Sequence, residues 1–139
     1  MKSIMSVFTP KKMTAFLNEN YTVRQAIELF DVHKYSVIPL VNNDGHYVGT
    51  LSEGDLLSFL KNEAHYDIKI TEKVFIKDIE RYRQYRALSV DSLLSEFFAL
   101  SLEQNFIPVT DDKGSYIGII KRKEIIRFLS EKVELKSID

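Results

Sequence analysis

The chain has 139 residues, 45% hydrophobic and 28% charged, which excludes a disordered or fibrous polypeptide and sets the size at one ordinary domain with a real core. With 19 Lys+Arg against 20 Asp+Glu the net charge is -1, so no global field holds nucleic acid or an anionic membrane, and any anion site must be local. Zero cysteines exclude disulfides and thiolate metal sites, and the three histidines, His33, His46 and His65, do not fall at metal-ligand spacing.

Met1 to Phe8 carries one lysine and no apolar signal core, and no later run approaches transmembrane length. The expectation is a cytoplasmic protein with no membrane partner. A short strand is expected near Thr14 to Leu17. Val23, Ala26, Ile27 and Phe30 then recur at helical spacing, with Thr22 and Gln25 as a capping box. Ser36 to Val41 and His46 to Leu51 are short, β-branched-rich runs joined by Asn42-Asn43-Asp44-Gly45, a hairpin signal. Ser52 to Lys61 regains helical spacing through Leu56, Leu57, Phe59 and Leu60.

After a segment that alternates cations with aromatics, Arg81-Tyr82-Arg83-Gln84-Tyr85-Arg86, the same order returns. A short strand is expected at Ala87 to Ser89, a helix over Asp91 to Gln104, strands over Asn105 to Thr110 and Tyr116 to Ile120, and a helix over Lys121 to Val133. The Asp91 helix carries Leu93, Leu94, Phe97, Phe98, Leu100 and Leu102, more apolar surface than one core face requires. Burial on two sides is expected, through a thick core or through a homodimer interface.

The two halves are copies. Ile38-Pro39 falls on Ile107-Pro108, and the same offset places Gly45, Tyr47 and Gly49 on Gly114, Tyr116 and Gly118, and Phe59-Leu60 on Phe128-Leu129. The expected division is residues 1–66, an N-terminal segment with the first repeat, and 67–139, a linker with the second.

The run Val37 to Val41, the turn Asp44-Gly45, and Tyr47-Val48-Gly49-Thr50-Leu51-Ser52-Glu53-Gly54-Asp55-Leu56-Leu57 resemble a CBS repeat, named after cystathionine beta-synthase. Phe106 to Ile126 resembles it too, and the resemblance covers about Met5 to Leu129, similar in form to stand-alone bacterial CBS-domain proteins. It implies an α/β (α+β) fold of two βαββα repeats packed sheet to sheet around a pseudo-twofold axis. It also implies clefts for adenosine-containing ligands such as AMP, ADP, ATP, S-adenosylmethionine or cyclic di-AMP, and frequent dimerisation. The nucleotide would be a regulatory ligand rather than a catalytic cofactor, read by an unidentified protein partner.

In the family a strand glycine is followed three residues on by Thr or Ser and three further by Asp, and Gly49, Ser52 and Asp55 fill that pattern beside Thr50. An ionised Asp offers acceptors to both hydroxyls of a ribose, and a Ser at a helix start meets phosphate together with free backbone N–H groups. Ser-x-x-Asp is equally a capping box that needs no ligand, and the two roles are compatible. The second repeat has Lys121 and Glu124 where Ser and Asp are expected. Lys121 and Arg122 either meet a polyanionic ligand or start a solvated helix, and Lys123 is read as solvated. Arg81 and Arg83 either reach ligand phosphates, serve single-stranded nucleic acid with bases stacked on Tyr82 and Tyr85, or belong to an exposed linker. A ligand-independent dimerising scaffold remains the rival to nucleotide binding. No Ser-His-Asp set, phosphate loop or carboxylate pair marks an enzyme.

Overall fold

The computed structural model describes residues 3–137; the outermost residues of the expected division, 1, 2, 138 and 139, lie outside the described residues. Packing forms two compact units. One is residues 15–84, and the other joins the described residues before Ala15 to those after Gln84. The N-terminal segment thus packs with the second repeat, and residues 67–84 pack with the first.

In the first unit β2 (Leu17–Asn18), α1 (Val23–His33), β3 (Val37–Val41), β4 (Tyr47–Ser52) and α2 (Glu53–Asn62) form one βαββα repeat, followed by a short α3 (Ile68–Thr71) and a 3-10 turn, Ile76–Asp78. The sheet order is β2-β3-β4, parallel then antiparallel. The Thr22 hydroxyl accepts from Gln25 N–H while Gln25 Oε1 accepts from Thr22 N–H, so both partners of the expected capping box are in place. Helix and sheet close over Val23, Ala26, Ile38, Leu40, Leu51 and Leu56, and Ile76 and Ile79 complete this core. Those two isoleucines are why the segment after α2 belongs here.

The second unit repeats the order with β5 (Leu88–Ser89), α4 (Leu94–Ser101), β6 (Phe106–Thr110), β7 (Tyr116–Lys121) and α5 (Arg122–Ser137). Its sheet gains β1 (Thr9–Pro10), so the order is β1-β7-β6-β5. Ile107, Val109, Ile120 and Ile125 fill the places of Ile38, Leu40, Leu51 and Leu56. The Tyr116 hydroxyl bonds Thr14 Oγ1 at 2.8 Å, and burial pushes its pKa up to about 12.

The strands and the other helices fall within a few residues of their expected spans. α4 is shorter than the Asp91 to Gln104 expected of it. The Ser92 hydroxyl accepts from Ser89 N–H and Ser89 Oγ from Asp91 N–H, holding this stretch in a turn that delays the helix to Leu94. Among the described residues, nothing buries this helix on two sides. Phe97 and Leu100 are buried, whereas Leu93 and Leu102 are 66% and 84% exposed.

Candidate functional site

The Gly49 to Asp55 stretch runs from the edge strand β4 into the first turn of α2. Ser52 caps that helix: its Oγ accepts from Asp55 N–H at 3.1 Å, and Asp55 Oδ2 accepts from Ser52 N–H at 2.9 Å. The capping role read from Ser-x-x-Asp is therefore real. Asp55 is only 1% exposed, and its other oxygen, Oδ1, accepts from Tyr82 N–H at 2.8 Å. An ionised carboxylate has about four lone-pair sites, so each oxygen can accept one bond more.

Thr50 lies opposite Pro39 in the β3–β4 register. Proline has no N–H to donate, so this pair carries no ladder bonds, and Thr50 turns its own N–H and C=O to the open edge of β4. Gln84 takes both: Oε1 accepts from Thr50 N–H at 3.3 Å and Nε2 donates to Thr50 C=O at 3.4 Å. The Thr50 hydroxyl donates to the Arg83 carbonyl at 2.7 Å. At Gly49 φ is 132°, a backbone conformation that favours glycine, and an added Cβ would push the Gln84 side chain away. Arg81 lies alongside. Its Nη1 donates to the Ile76 carbonyl, its Nη2 is 3.8 Å from where a Gly49 Cβ would be, and its Nε is buried with no hydrogen-bond partner. Thr50, Ser52, Asp55 and Arg81 are thus gathered in one place, with the exposed Arg83 attached through its backbone.

The second-repeat residues are not gathered in the same way. Lys121 is exposed at the end of β7. Arg122 Nε donates to the carbonyls of Ser101 at 2.7 Å and Gln104 at 3.2 Å, satisfying the C-terminal end of α4. Glu124 accepts twice from Arg127 Nη1 and makes no capping box. The edge of β7 is closed by β1, with Pro10 opposite Gly118 and Thr9 opposite Ile119, and a Cβ at Gly118 would collide with Thr9 O and the Phe8 ring.

The cation and aromatic alternation splits by side. Tyr82 is exposed, but Tyr85 is buried against Phe106, with ring centroids 4.8 Å apart, and its hydroxyl donates to Asn105 Oδ1. The two tyrosines do not make a two-base stacking platform. Gln84 and Gln104 were not singled out by motif reasoning. For Gln84 the available signal was a neutral amide set among three arginines, Arg81, Arg83 and Arg86. Among the described residues no cluster of three His, Cys, Asp or Glu is arranged for a metal ion, and no helix is long and apolar enough to cross a membrane.

The CBS domain family profile matches residues 5–62 and 76–131, more than half of the chain. The chain belongs to the CBS domain family. It is a tandem CBS pair with a mixed α/β fold, similar to several known proteins. MJ1426 of Methanocaldococcus jannaschii, an uncharacterized protein, is 24% identical over 155 residues, spanning 91% of this chain and 92% of that one. The crystal structure of Listeria monocytogenes CbpB in complex with c-di-AMP superposes with a TM-score of 0.80 at 14% identity, covering 96% of this CBS pair and 99% of CbpB. CBSX2 of Arabidopsis thaliana in complex with AMP superposes with a TM-score of 0.72 at 24% identity, covering 94% and 98%. CBS pairs also occur inside enzymes: this chain spans only 21% of the homoserine O-acetyltransferase of Methanohalophilus mahii.

Proposed function

We propose that this CBS pair is a non-enzymatic regulatory module that binds an adenine nucleotide at the first repeat. The observation that carries the reading is Arg81. Its Nε is buried and unpartnered, and its Nη2 lies beside Gly49, the first residue of the motif that continues through Thr50, Ser52 and Asp55. A guanidinium with a donor to spare, on the same segment whose Tyr82 N–H meets the buried Asp55 carboxylate, suits a ligand with phosphate at one end and hydroxyls at the other. Asp55 would accept from the ribose, and Ser52, Arg81 and Arg83 would meet phosphate. That CbpB was captured with c-di-AMP and CBSX2 with AMP supports the ligand class. The second repeat, with Arg122 and Glu124 engaged elsewhere and Lys121 exposed, is proposed as altered or silent.

A ligand shifts a conformational equilibrium only by its differential affinity for the states, so a protein partner that reads the change is part of the proposal. The exposed apolar residues Leu57, Ile126 and Leu129 make a homodimer part of it too. One observation favours the rival scaffold reading: both Asp55 oxygens already accept backbone N–H groups.

Calorimetry of the purified chain against AMP, ADP, ATP and c-di-AMP decides between the two. Saturable heat is expected with at least one nucleotide. That nucleotide at about 100 times its Kd should stabilise the fold by ~2.7 kcal/mol. No heat and no thermal shift across the panel, with a dimer still present by light scattering, would leave the scaffold.

A further inference from the structure

The segment Tyr82 to Gln84 presents to the first-repeat motif the same donors and acceptors that a nucleoside would. The Gln84 carboxamide sets an acceptor beside a donor against the Thr50 N–H and C=O. Adenine sets a ring nitrogen acceptor beside its N6 amino donor in the same spacing, which is why glutamine and adenine pair in two-point fashion elsewhere. Two residues earlier, Tyr82 N–H donates to Asp55 Oδ1 as a ribose hydroxyl would.

Two features mark this contact as one that can open. The Gln84 bonds, at 3.3 and 3.4 Å, are long for amide hydrogen bonds, and the side chain is exposed. Gln104 makes a comparable two-way clasp on Arg86 in the second unit, and there the bonds are 2.7 and 3.0 Å with the side chain buried. The corresponding edge of β7 is closed by a true strand, β1. In the first repeat the Thr50 backbone at the edge of β4 is met by the Gln84 side chain instead.

We propose that Tyr82 to Gln84 is a displaceable internal cover of the first-repeat site, with Gln84 competing directly for the base. This rests on the reading that the first repeat takes an adenine nucleotide. Binding and release of the segment are then one equilibrium, and the freed stretch is the part of the chain that reports occupancy.

Calorimetry with AMP and with c-di-AMP on the wild-type chain, Gln84→Ala and Gln84→Met tests this, with melting curves to confirm that the variants fold. Because a covered site weakens apparent affinity by the fraction uncovered, both variants should bind about three- to tenfold more tightly than wild type. Binding seen only in the variants supports the cover as well. Variants that bind no more tightly than a binding wild type overturn the cover and leave nucleotide binding intact, whereas silence from all three proteins overturns both. Hydrogen exchange on the wild type gives a readout free of any substitution. Saturating nucleotide should speed exchange of the Tyr82 amide, and unchanged protection there overturns the proposal.

Discussion

Asn42 and Asp111 occupy the same corner of the two hairpins, and each uses one side-chain oxygen to accept two backbone N–H groups. Asn42 Oδ1 accepts from Asp44 and His46, and Asp111 Oδ1 accepts from Lys113 and Ser115. The amide makes these bonds at any pH, whereas the carboxylate makes them best when ionised. The Ser115 and then the Lys113 backbone bonds hold the Asp111 pKa below its ordinary 3.8.

A depressed carboxylate pKa contributes stability that is complete above the unfolded value and lost as pH falls through the folded one. The Lys113 and Ser115 amide resonances should therefore titrate below pH 3.8 in the wild type. In Asp111→Asn they should stay flat while the hairpin persists. Amide shifts that titrate identically in both proteins would mean that the turn does not sense this carboxyl.

Gln104 is buried and makes three bonds, accepting from Arg86 N–H and donating to the carbonyls of Arg86 and Phe106. Gln104→Ala strands those groups out of water, so denaturant unfolding should show a loss of about 1–3 kcal/mol. Gln104→Glu keeps the acceptor but not the donor and should lose a comparable amount. Unfolding midpoints within error of wild type would show that water replaces the clasp without cost.

Gly118 has φ 151°, and a Cβ there would meet Thr9 O and the Phe8 ring. Gly118→Ala combines backbone strain with a collision, so a loss of roughly 2 kcal/mol or more is expected. The damage should be local first: amide exchange at Thr9 and Ile119, the paired residues of β1 and β7, should quicken before global unfolding.

The repeats and their hairpins were legible because periodicity and turn chemistry act over few residues. Thr22 with Gln25, and Ser52 with Asp55, sit three apart, so their caps could be read directly. The same locality hid the rest. The Asp55 bond to Tyr82 and the Thr50 bond to Gln84 join residues far apart in sequence through backbone groups that leave no side-chain signature. β1 was equally hidden: two residues, one of them proline, have no strand propensity of their own and are a strand only because β7 offers an edge. The partners of Asp55 and Thr50 are therefore set by the fold, while the motif residues themselves are read from the sequence.

Arg122 separates an anion-binding role from a structural one. Its position, at the start of α5 beside Lys121, suggests phosphate, but its Nε spans the carbonyls of Ser101, the last residue of α4, and of Gln104 just beyond it. Charged hydrogen bonds of this kind contribute about 1.5–3 kcal/mol each. Lysine keeps the charge but replaces the rigid, planar Nε–H that reaches both carbonyls with a rotating, strongly hydrated ammonium. Arg122→Lys and Arg122→Met should both lower the melting temperature, the second more, and neither should change nucleotide affinity more than about twofold, a shift under ~0.5 kcal/mol. If Arg122→Lys instead melts like wild type yet binds nucleotide tenfold more weakly, the guanidinium serves the ligand and the α4 carbonyls are only its resting place.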